Sequence, residues 1–574
     1  MDTEQKKLKG SQILLESLLA HGMDTIFGYP GGQIMPVYDA LYDYSNIRHI
    51  LVRHEQAAIH AAQGYARVKN TAGCVMVTSG PGATNVVTGI ADAMADSTPV
   101  VVIAGQVPTS LLGTDGFQET DFVDMASPIT KWTYQIRRAE DVAWAVARAF
   151  YIATSGRPGP VVLDFTKDAQ IGTALYKPVV CDFIRSYVPK PVPSDELLRE
   201  AARMIDMAER PMVVYGHGVE ISGAQKQLAA FLDKADIPAG STLLGLSVLD
   251  SSNPHFMGML GMHGSLASNM MTQNCDLLIA VGMRFDDRVT GNIHTYAHQA
   301  KVIHIDIDPS ELGKIIKCDI GINGDALEVL ERLTAMISPA KHEQWHAFAR
   351  PCNETERQKV SLVETASDEL YIKPGEVVAR VAEYVKGQAI VITDVGQNQM
   401  LAARYSRFSR ERSFLSSGGL GTMGYGLPAS IGAKIAAPDR QVCLFVGDGG
   451  LQMTIEELGT IMQENLGVKI VLLDNNWLGN VRQWQEMFFN ARYSYTRLMN
   501  PDFELIARAY NIVSLKVSSR EELQPAIEKM FSDDRPVLLH VLVQEDNMVF
   551  PMVPPGKSID EIMLNSEEYF KYGN

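Results

Sequence analysis

Short runs of β-branched and aliphatic residues recur along the chain, each followed by a glycine or polar turn and then by helical spacing. The first third carries Val75-Met76-Val77-Thr78, Val100-Val101-Val102-Ile103 and Val161-Val162-Leu163. The middle carries Met212-Val213-Val214-Tyr215, Leu277-Leu278-Ile279-Ala280-Val281 and Val302-Ile303-His304-Ile305. The last third carries Ile390-Val391-Ile392, Val442-Cys443-Leu444-Phe445-Val446 and Ile470-Val471-Leu472-Leu473. Continuous apolar runs read as buried strands, and their alternation with helical patterns predicts parallel sheets covered by helices. Pro189-Lys190-Pro191-Val192-Pro193 is a stiff connector. A polar segment from about Ser338 to Pro374, holding Pro339 and Pro351, reads as a second one. These divide the chain into α/β pieces at 1–185, 194–338 and 372–550, followed by a tail at 551–574.

Composition narrows the classes. At 574 residues the chain is too long for one core. Hydrophobic content of 46% and charged content of 21% are those of a soluble globular protein. A net charge of −16 argues against nucleic acid and anionic membranes as partners. Six cysteines without a CxxC pair fit reduced thiols rather than a disulfide or zinc framework. The start, Met1-Asp2-Thr3-Glu4-Gln5-Lys6-Lys7, is polar. No signal peptide, transit segment or membrane span is expected, and a cytoplasmic location is.

The candidate chemistry sits at strand ends. Gly447-Asp448-Gly449-Gly450 follows one buried run and Asn475-Asn476 follows the next. A carboxylate and a carboxamide there, with a nearby main-chain carbonyl, suit a hard divalent cation that also holds a diphosphate. The glycines let the backbone approach that phosphate. Upstream, Glu55 opens a helical pattern in Arg53-His54-Glu55-Gln56-Ala57-Ala58. Taken alone, Glu55 is a first-turn acid that complements a helix dipole. Two glycine-rich turns, Gly28-Tyr29-Pro30-Gly31-Gly32 and Thr78-Ser79-Gly80-Pro81-Gly82, make a wall that a flat ligand can approach.

Over essentially its whole length the sequence resembles the acetohydroxyacid synthase (acetolactate synthase) catalytic subunits. The carriers are FGYPGG at 27–32, RHEQAA at 53–58, TSGPGATN at 78–85, SGRPGPV at 155–161 and GMLGMHG at 258–264. They continue with RFDDRVTGN at 284–292, SGGLGTMGYGLPA at 417–429, GDGG at 447–450 and RQWQ at 482–485. The resemblance implies an α/β fold of three doubly wound parallel-sheet domains: pyrimidine-binding, central FAD-binding and diphosphate-binding. It implies thiamine diphosphate, Mg2+ and FAD as cofactors, and a homodimer or homotetramer whose active site lies at the dimer interface. It further implies 2-oxo acids as substrates and a separate small regulatory subunit. The reaction joins a two-carbon unit from pyruvate to a second pyruvate or to 2-oxobutyrate, the first committed step of branched-chain amino-acid synthesis.

Residue by residue, the resemblance assigns Glu55 to the aminopyrimidine ring nitrogen and Met423 to holding the cofactor bent. Asp448, Asn475 and Trp477 are assigned to the metal, and Gln397, Asn398, Gly421, Gly449, Gly450, Asn475 and Val481 to the thiamine cofactor. Arg288 matches the residue for the second substrate's carboxylate, and an ion pair with Asp286 or Asp287 is its simpler reading. Trp484 matches the residue that favours 2-oxobutyrate, while Gly32, Phe117, Gln118 and Lys167 match further pocket positions. Lys167 reads equally well as a solvated surface lysine. Arg157, His263, Gly264, Gly282, Arg284, Asp306 and Asp325 match flavin contacts, with Asp306 at a strand end where an acid bonds ribose hydroxyls. Asn480, Asn398 and Gln33 depart from the family pattern. The rival readings are an FAD-independent catabolic acetolactate synthase, a pyruvate oxidase-like flavoenzyme, glyoxylate carboligase and a nucleotide-binding scaffold without catalysis. RFDDR and the Asp306 segment speak against the first, and Glu55 against glyoxylate carboligase.

Overall fold

The computed structural model describes residues 6–366 and 370–568. The polar N-terminus at 1–5, read above as free of a leader, lies outside the described residues. Three six-stranded sheets follow one another along the chain, and all their strand pairs are parallel. In the first, the strands are Thr25–Gly28, Arg48–Leu51, Gly73–Val77, Val100–Gln106, Trp132–Ile136 and Val161–Thr166. Counted within the domain, they lie in the order 2-1-3-4-6-5. The third sheet uses Ile390–Thr393, Phe414–Leu415, Val442–Gly447, Val468–Asp474, Val513–Val517 and Val537–Leu542 in the same order. The middle sheet uses Pro211–Tyr215, Ala239–Ser241, Phe256–Met259, Leu277–Val281, Lys301–Asp306 and Ile320–Asn323 in the order 3-2-1-4-5-6. That is the order of dinucleotide-binding sheets. The outer domains therefore share a topology that hydrophobic patterning could not compare, and the central one differs.

The predicted runs are buried on both faces, as the absence of apolar–polar alternation requires. Val100–Gln106 and Val468–Asp474 are buried at every position. A single hydrophobic cluster runs from Phe27, Val75 and Val102 of the first sheet to Ile392, Leu444 and Ile470 of the third. It closes because helices Glu55–Lys69 and Gly426–Ala436 meet almost backbone to backbone. A β-carbon on Gly432 would lie 1.8 Å from the Ala61 carbonyl oxygen, and one on Gly64 would lie 2.1 Å from that of Ala429. Side chains on the approaching faces are glycine and alanine because nothing larger fits.

Two expectations are corrected. The polar segment 338–374 is not an open connector. Its larger part is helical, Glu343–Glu356 running on through a π turn at Arg357–Ser361 into Leu362–Thr365. Trp345 buries its ring and donates to the Pro211 carbonyl at 2.8 Å, and Glu356 pairs with Arg404, so these two side chains tie the helix to the central and third domains. The segment after residue 550 is not a free tail over its described part. Val553 N donates to Met262 O at 2.8 Å and Asn269 Nδ2 to Ile559 O at 3.2 Å, which lay it on the central domain.

Replacing Gly432 with alanine forces a methyl into a carbonyl oxygen. The expected cost is about 3 kcal/mol, the upper part of the usual overpacking range, read as a lower denaturant midpoint. An unchanged midpoint would show that the crossing is looser than the structure has it.

Candidate active site

The third sheet reverses its winding between Ile390–Thr393 and Val442–Gly447. The loops leaving two such strands part and open a crevice at their carboxyl ends. Asp394, buried at the first of these ends, accepts from the backbone N–H of Val395, Gly424 and Gly426 at 2.9, 3.1 and 2.9 Å. It pins the loop that carries Gly421 and Met423. A β-carbon on Gly450 would meet Asp394 Oδ1 at 2.3 Å, so glycine is required where the second loop crosses the first. A β-carbon on Gly449 would lie 3.6 Å from Met423 Cε, which sets that side chain against the Gly-Asp-Gly turn.

Asp448 is buried at the mouth of the crevice. Asn500 Nδ2 donates to Asp448 Oδ2 at 2.6 Å and to Asp474 Oδ1 at 2.8 Å, so one amide bridges two acids. Burial, together with the neighbouring Asp474, pushes the Asp448 carboxyl upward, although the Asn500 bond opposes the shift. On its other side Asp474 is held by His540 Nε2 at 2.8 Å, and His540 Nδ1 meets Glu504. Burial disfavours the His540 charge, but these two carboxylates win and raise its pKa. Asn475 Oδ1 accepts from the Trp477 N–H at 3.1 Å, and Asn476 turns the chain with φ 58°. The Trp477 main chain thus folds back beside Asn475. Oxygens of this kind around crowded, buried acids suit Mg2+, which would offset the charge of both.

Gln397 Nε2 donates to the Asn547 carbonyl at 2.8 Å, and its Oε1 accepts from Asn475 at 3.4 Å. Asn398 Nδ2 faces the glycines at the two strand ends, 3.7 and 3.6 Å from the β-positions of Gly396 and Gly447. Its Oδ1 is buried without a partner among the described residues. Its Nδ2 donates to the Val395 carbonyl at 3.3 Å, and the unpartnered Oδ1 between two glycine turns fits a site that a polar ligand completes.

The first domain forms a second half-site. Asn85 Nδ2 donates to Glu55 Oε2 at 2.9 Å, and Gly82 lies between Glu55 and Thr78. Thr78 Oγ1 accepts from Gln33 N at 3.3 Å, and Lys167 Nζ donates to the Gly32 carbonyl at 3.3 Å. Gln118, with φ 62°, backs directly onto Gly80, and the neighbouring Phe117 is 85% exposed. Glu55, Gly32, Gln118 and Lys167 are thus brought to one rim. Among the described residues no hydrogen bond or ion pair joins that rim to Asp448 or Asn475 of the same chain.

A cavity of about 1370 Å³ lies between the central domain and the other two. Arg157, His263, Gly282, Arg284, Asp306 and Asp325 line it, as do Gly421, Val481, Trp484 and Arg288. The middle sheet reverses direction there too, between Pro211–Tyr215 and Leu277–Val281. Gly218 and Gly282, which follow those strands, touch backbone to backbone. Burial raises the Asp306 carboxyl to about 7 and lowers His263 to about 4, which leaves His263 neutral against a ligand. His263 Nδ1 also donates to the Pro551 carbonyl at 3.0 Å. Gly264 stands behind the wall, packed on the Leu260–Gly261 backbone. Arg157 is paired with Glu311 at 2.8 Å, and Arg288, 62% exposed, with Asp287 at 3.4 Å.

Three groups at the crevice escaped the sequence reading. Asp474 directly precedes Asn475, and Asp394 directly follows a strand, so both had a positional signal. Asn500 had none, since 52 residues separate it from Asp448.

Comparison with known proteins agrees with this geometry. Residues 8–125 match the N-terminal TPP binding domain of thiamine pyrophosphate enzymes, 198–333 the central domain, and 394–541 the C-terminal TPP binding domain. The chain is 42% identical over 557 residues to the acetolactate synthase isozyme 2 large subunit of Escherichia coli, spanning 97% of this chain and 99% of that protein. It is 42% identical over 562 residues to the acetolactate synthase large subunit of Lactococcus lactis, covering 97% and 96%. With the isozyme 3 large subunit of Escherichia coli the identity is 40% over 582 residues, covering 98% and 99%. Three parallel-sheet domains, a carboxylate–carboxamide crevice at the switch point of the third, and likeness along the full length place this chain in the acetolactate synthase large-subunit family of thiamine-diphosphate-dependent enzymes.

Proposed function

We propose that this chain decarboxylates pyruvate and joins the two-carbon unit to a second pyruvate or to 2-oxobutyrate, giving 2-acetolactate or 2-aceto-2-hydroxybutyrate. The observation that carries this reading is the crevice where Asp448, Asn475 and the glycine turns converge in a chain so similar to acetolactate synthases. Bound thiamine diphosphate supplies the electron sink that the decarboxylation needs. Asp448 and Asn475, with the Trp477 carbonyl, would hold Mg2+ against the diphosphate. Gly449, Gly450, Gln397 and Asn398 would frame that diphosphate. Met423, set on Gly449, would support the cofactor between its two rings, with Gly421 and Val481 beside it. Glu55 would hold a proton at the pyrimidine nitrogen and so govern proton exchange at the reactive carbon.

Among the described residues no bond joins the two half-sites within one chain, which supports a reading in which Glu55 of one protomer works with Asp448 of another, in a homodimer or homotetramer. Arg288 would trade its exposed Asp287 partner for the second substrate's carboxylate. Trp484, on the same cavity wall, would contact the extra methyl of 2-oxobutyrate. Gly32, Phe117, Gln118 and Lys167 would close the substrate pocket from the other protomer. FAD would occupy the large cavity, with Asp306 on its ribose and Arg157, His263, Gly282, Arg284 and Asp325 around it. The dinucleotide strand order, the touching glycines and the cavity size support this placement. A separate small regulatory subunit and a cytoplasmic location complete the reading. Among the described residues no helix is long and apolar enough to cross a membrane.

Purified chain is expected to form acetolactate from pyruvate only with Mg2+, thiamine diphosphate and FAD together. Product without FAD would favour the catabolic type, and flavin bleaching by pyruvate without product would favour an oxidase.

Asp448→Ala should lose Mg2+-dependent thiamine diphosphate binding by calorimetry. Glu55→Gln should keep that binding and lose turnover; full turnover in Glu55→Gln would remove its assigned role. Trp484→Ala should lower the preference for 2-oxobutyrate over pyruvate by roughly 10- to 200-fold, the range that one methylene is worth. Competition between the two substrates measures it, and an unchanged ratio would place the specificity elsewhere.

A further inference from the structure

Asp233 and Asp236 at the end of helix Gln225–Ala235, His255 before strand Phe256–Met259, and His342 and His346 at the start of helix Glu343–Glu356 converge outside the active site. A ring nitrogen from each of His255 and His346 and a carboxylate oxygen of Asp236 all lie within 4.8 Å of one another. From this juxtaposition we propose a second metal site, ligated by Asp236, His255 and His346, for a divalent transition ion of the Zn2+ class.

Several features point to a ligand rather than to a polar staple alone. His255 is buried, and Asp233 Oδ1 engages its Nε2 at 3.1 Å. Its Nδ1 is buried with no partner among the described residues. A carboxylate on one ring nitrogen fixes the proton there and leaves a lone pair on the other, the arrangement that commonly stands behind metal-bound histidines. Asp236 is held rigidly. It caps its helix with φ 53°, its N–H donating to the Leu232 carbonyl, and its Oδ2 accepts from His342 N at 2.6 Å. Its Oδ1 faces His346 Nε2 at 3.8 Å, with the exposed Lys341 amine 3.7 Å away. His346 Nε2 lies 2.9 Å from the Asp236 carbonyl. Ligation exchanges that bond for the ion and moves the ring proton to Nδ1, with no net loss of a proton.

Two imidazoles and one carboxylate select Zn2+ over Mg2+ and leave a position for water. The site would therefore not compete for the ion at Asp448. Because His346 belongs to the connector helix and the other two ligands to the central domain, the ion would clamp one to the other.

The test uses full-length chain, stripped with chelator and returned to Mg2+ and thiamine diphosphate, then titrated with Co2+. One equivalent should produce the visible bands of a low-coordinate cobalt site, and Zn2+ should bleach them and raise the Tm. Asp236→Asn keeps the left-handed cap, and with His255→Gln it should abolish both signals while acetolactate formation is retained. Asp233→Asn should weaken Zn2+ binding about 10- to 100-fold. No cobalt bands, or bands that survive both Asp236→Asn and His255→Gln, would overturn the proposal. Retained carboligation in these variants separates that failure from any failure of the proposed reaction.

Discussion

The crossing of helices Glu55–Lys69 and Gly426–Ala436 is the contact on which the placement of both half-sites rests. Gly64 and Gly432 bring each helix onto a carbonyl of the other. That closeness merges the cores of the first and third domains into one cluster. It also fixes the entry to the Glu55 helix, where the buried Glu457 of the third domain accepts from Arg53 N at 2.8 Å and His54 N at 3.0 Å. Its carboxylate stands in for the missing turn of that helix.

A set of buried charges couples the three domains around the same crossing. Arg67, on the Glu55 helix, donates to the Ser416 carbonyl at 2.7 Å. Asp96 of the first domain accepts from Gly418 N and Gly419 N at 2.9 and 2.6 Å. Asp92 accepts from Ser417 and from Thr422, the residue before Met423. His217 of the central domain reaches the Asp96 carbonyl at 3.0 Å. Burial raises the Asp92 and Asp96 carboxyls, and the surrounding donors together with Arg67 work against it. Acids buried this deeply hold their loops with charge-assisted bonds, and the loop they hold is the one that presents Gly421 and Met423. The metal crevice therefore inherits its shape partly from residues in the first domain.

Much of this was legible along the chain. Continuous apolar runs fell within the strands, and Asp448, Asn475, Asp306 and Gly282 stand at their carboxyl ends, Asp448 and Gly282 at the two switch points, because carboxyl ends of parallel strands are where loops diverge. Glu55 opens a helix as its spacing implied. The connector at 338–374 misled because its many exposed charges mask the few side chains, Trp345 and Glu356 among them, that bind a helix to the central and third domains. The segment after residue 550 offered no periodicity, since the buried side chains that hold it, Met552, Val553, Ile559 and Met563, are spaced irregularly along an extended chain and are joined by individual main-chain bonds. Asn500 was invisible for a related reason: an exposed-looking loop asparagine acquires its role only when folding brings it between Asp448 and Asp474.

By itself, then, the sequence determined the class of fold, the strand ends and the residue types gathered there, because these depend on local hydrophobic period and on glycine where the backbone must turn. Tertiary structure alone decided the rest. Strand order distinguishes the central sheet from its neighbours, and the Gly64–Gly432 approach sets the domains' mutual packing. The acids and amides that meet across long stretches of chain were likewise settled there. Such contacts pair residues whose separation in sequence carries no period, and only the close packing of finished domains selects among them.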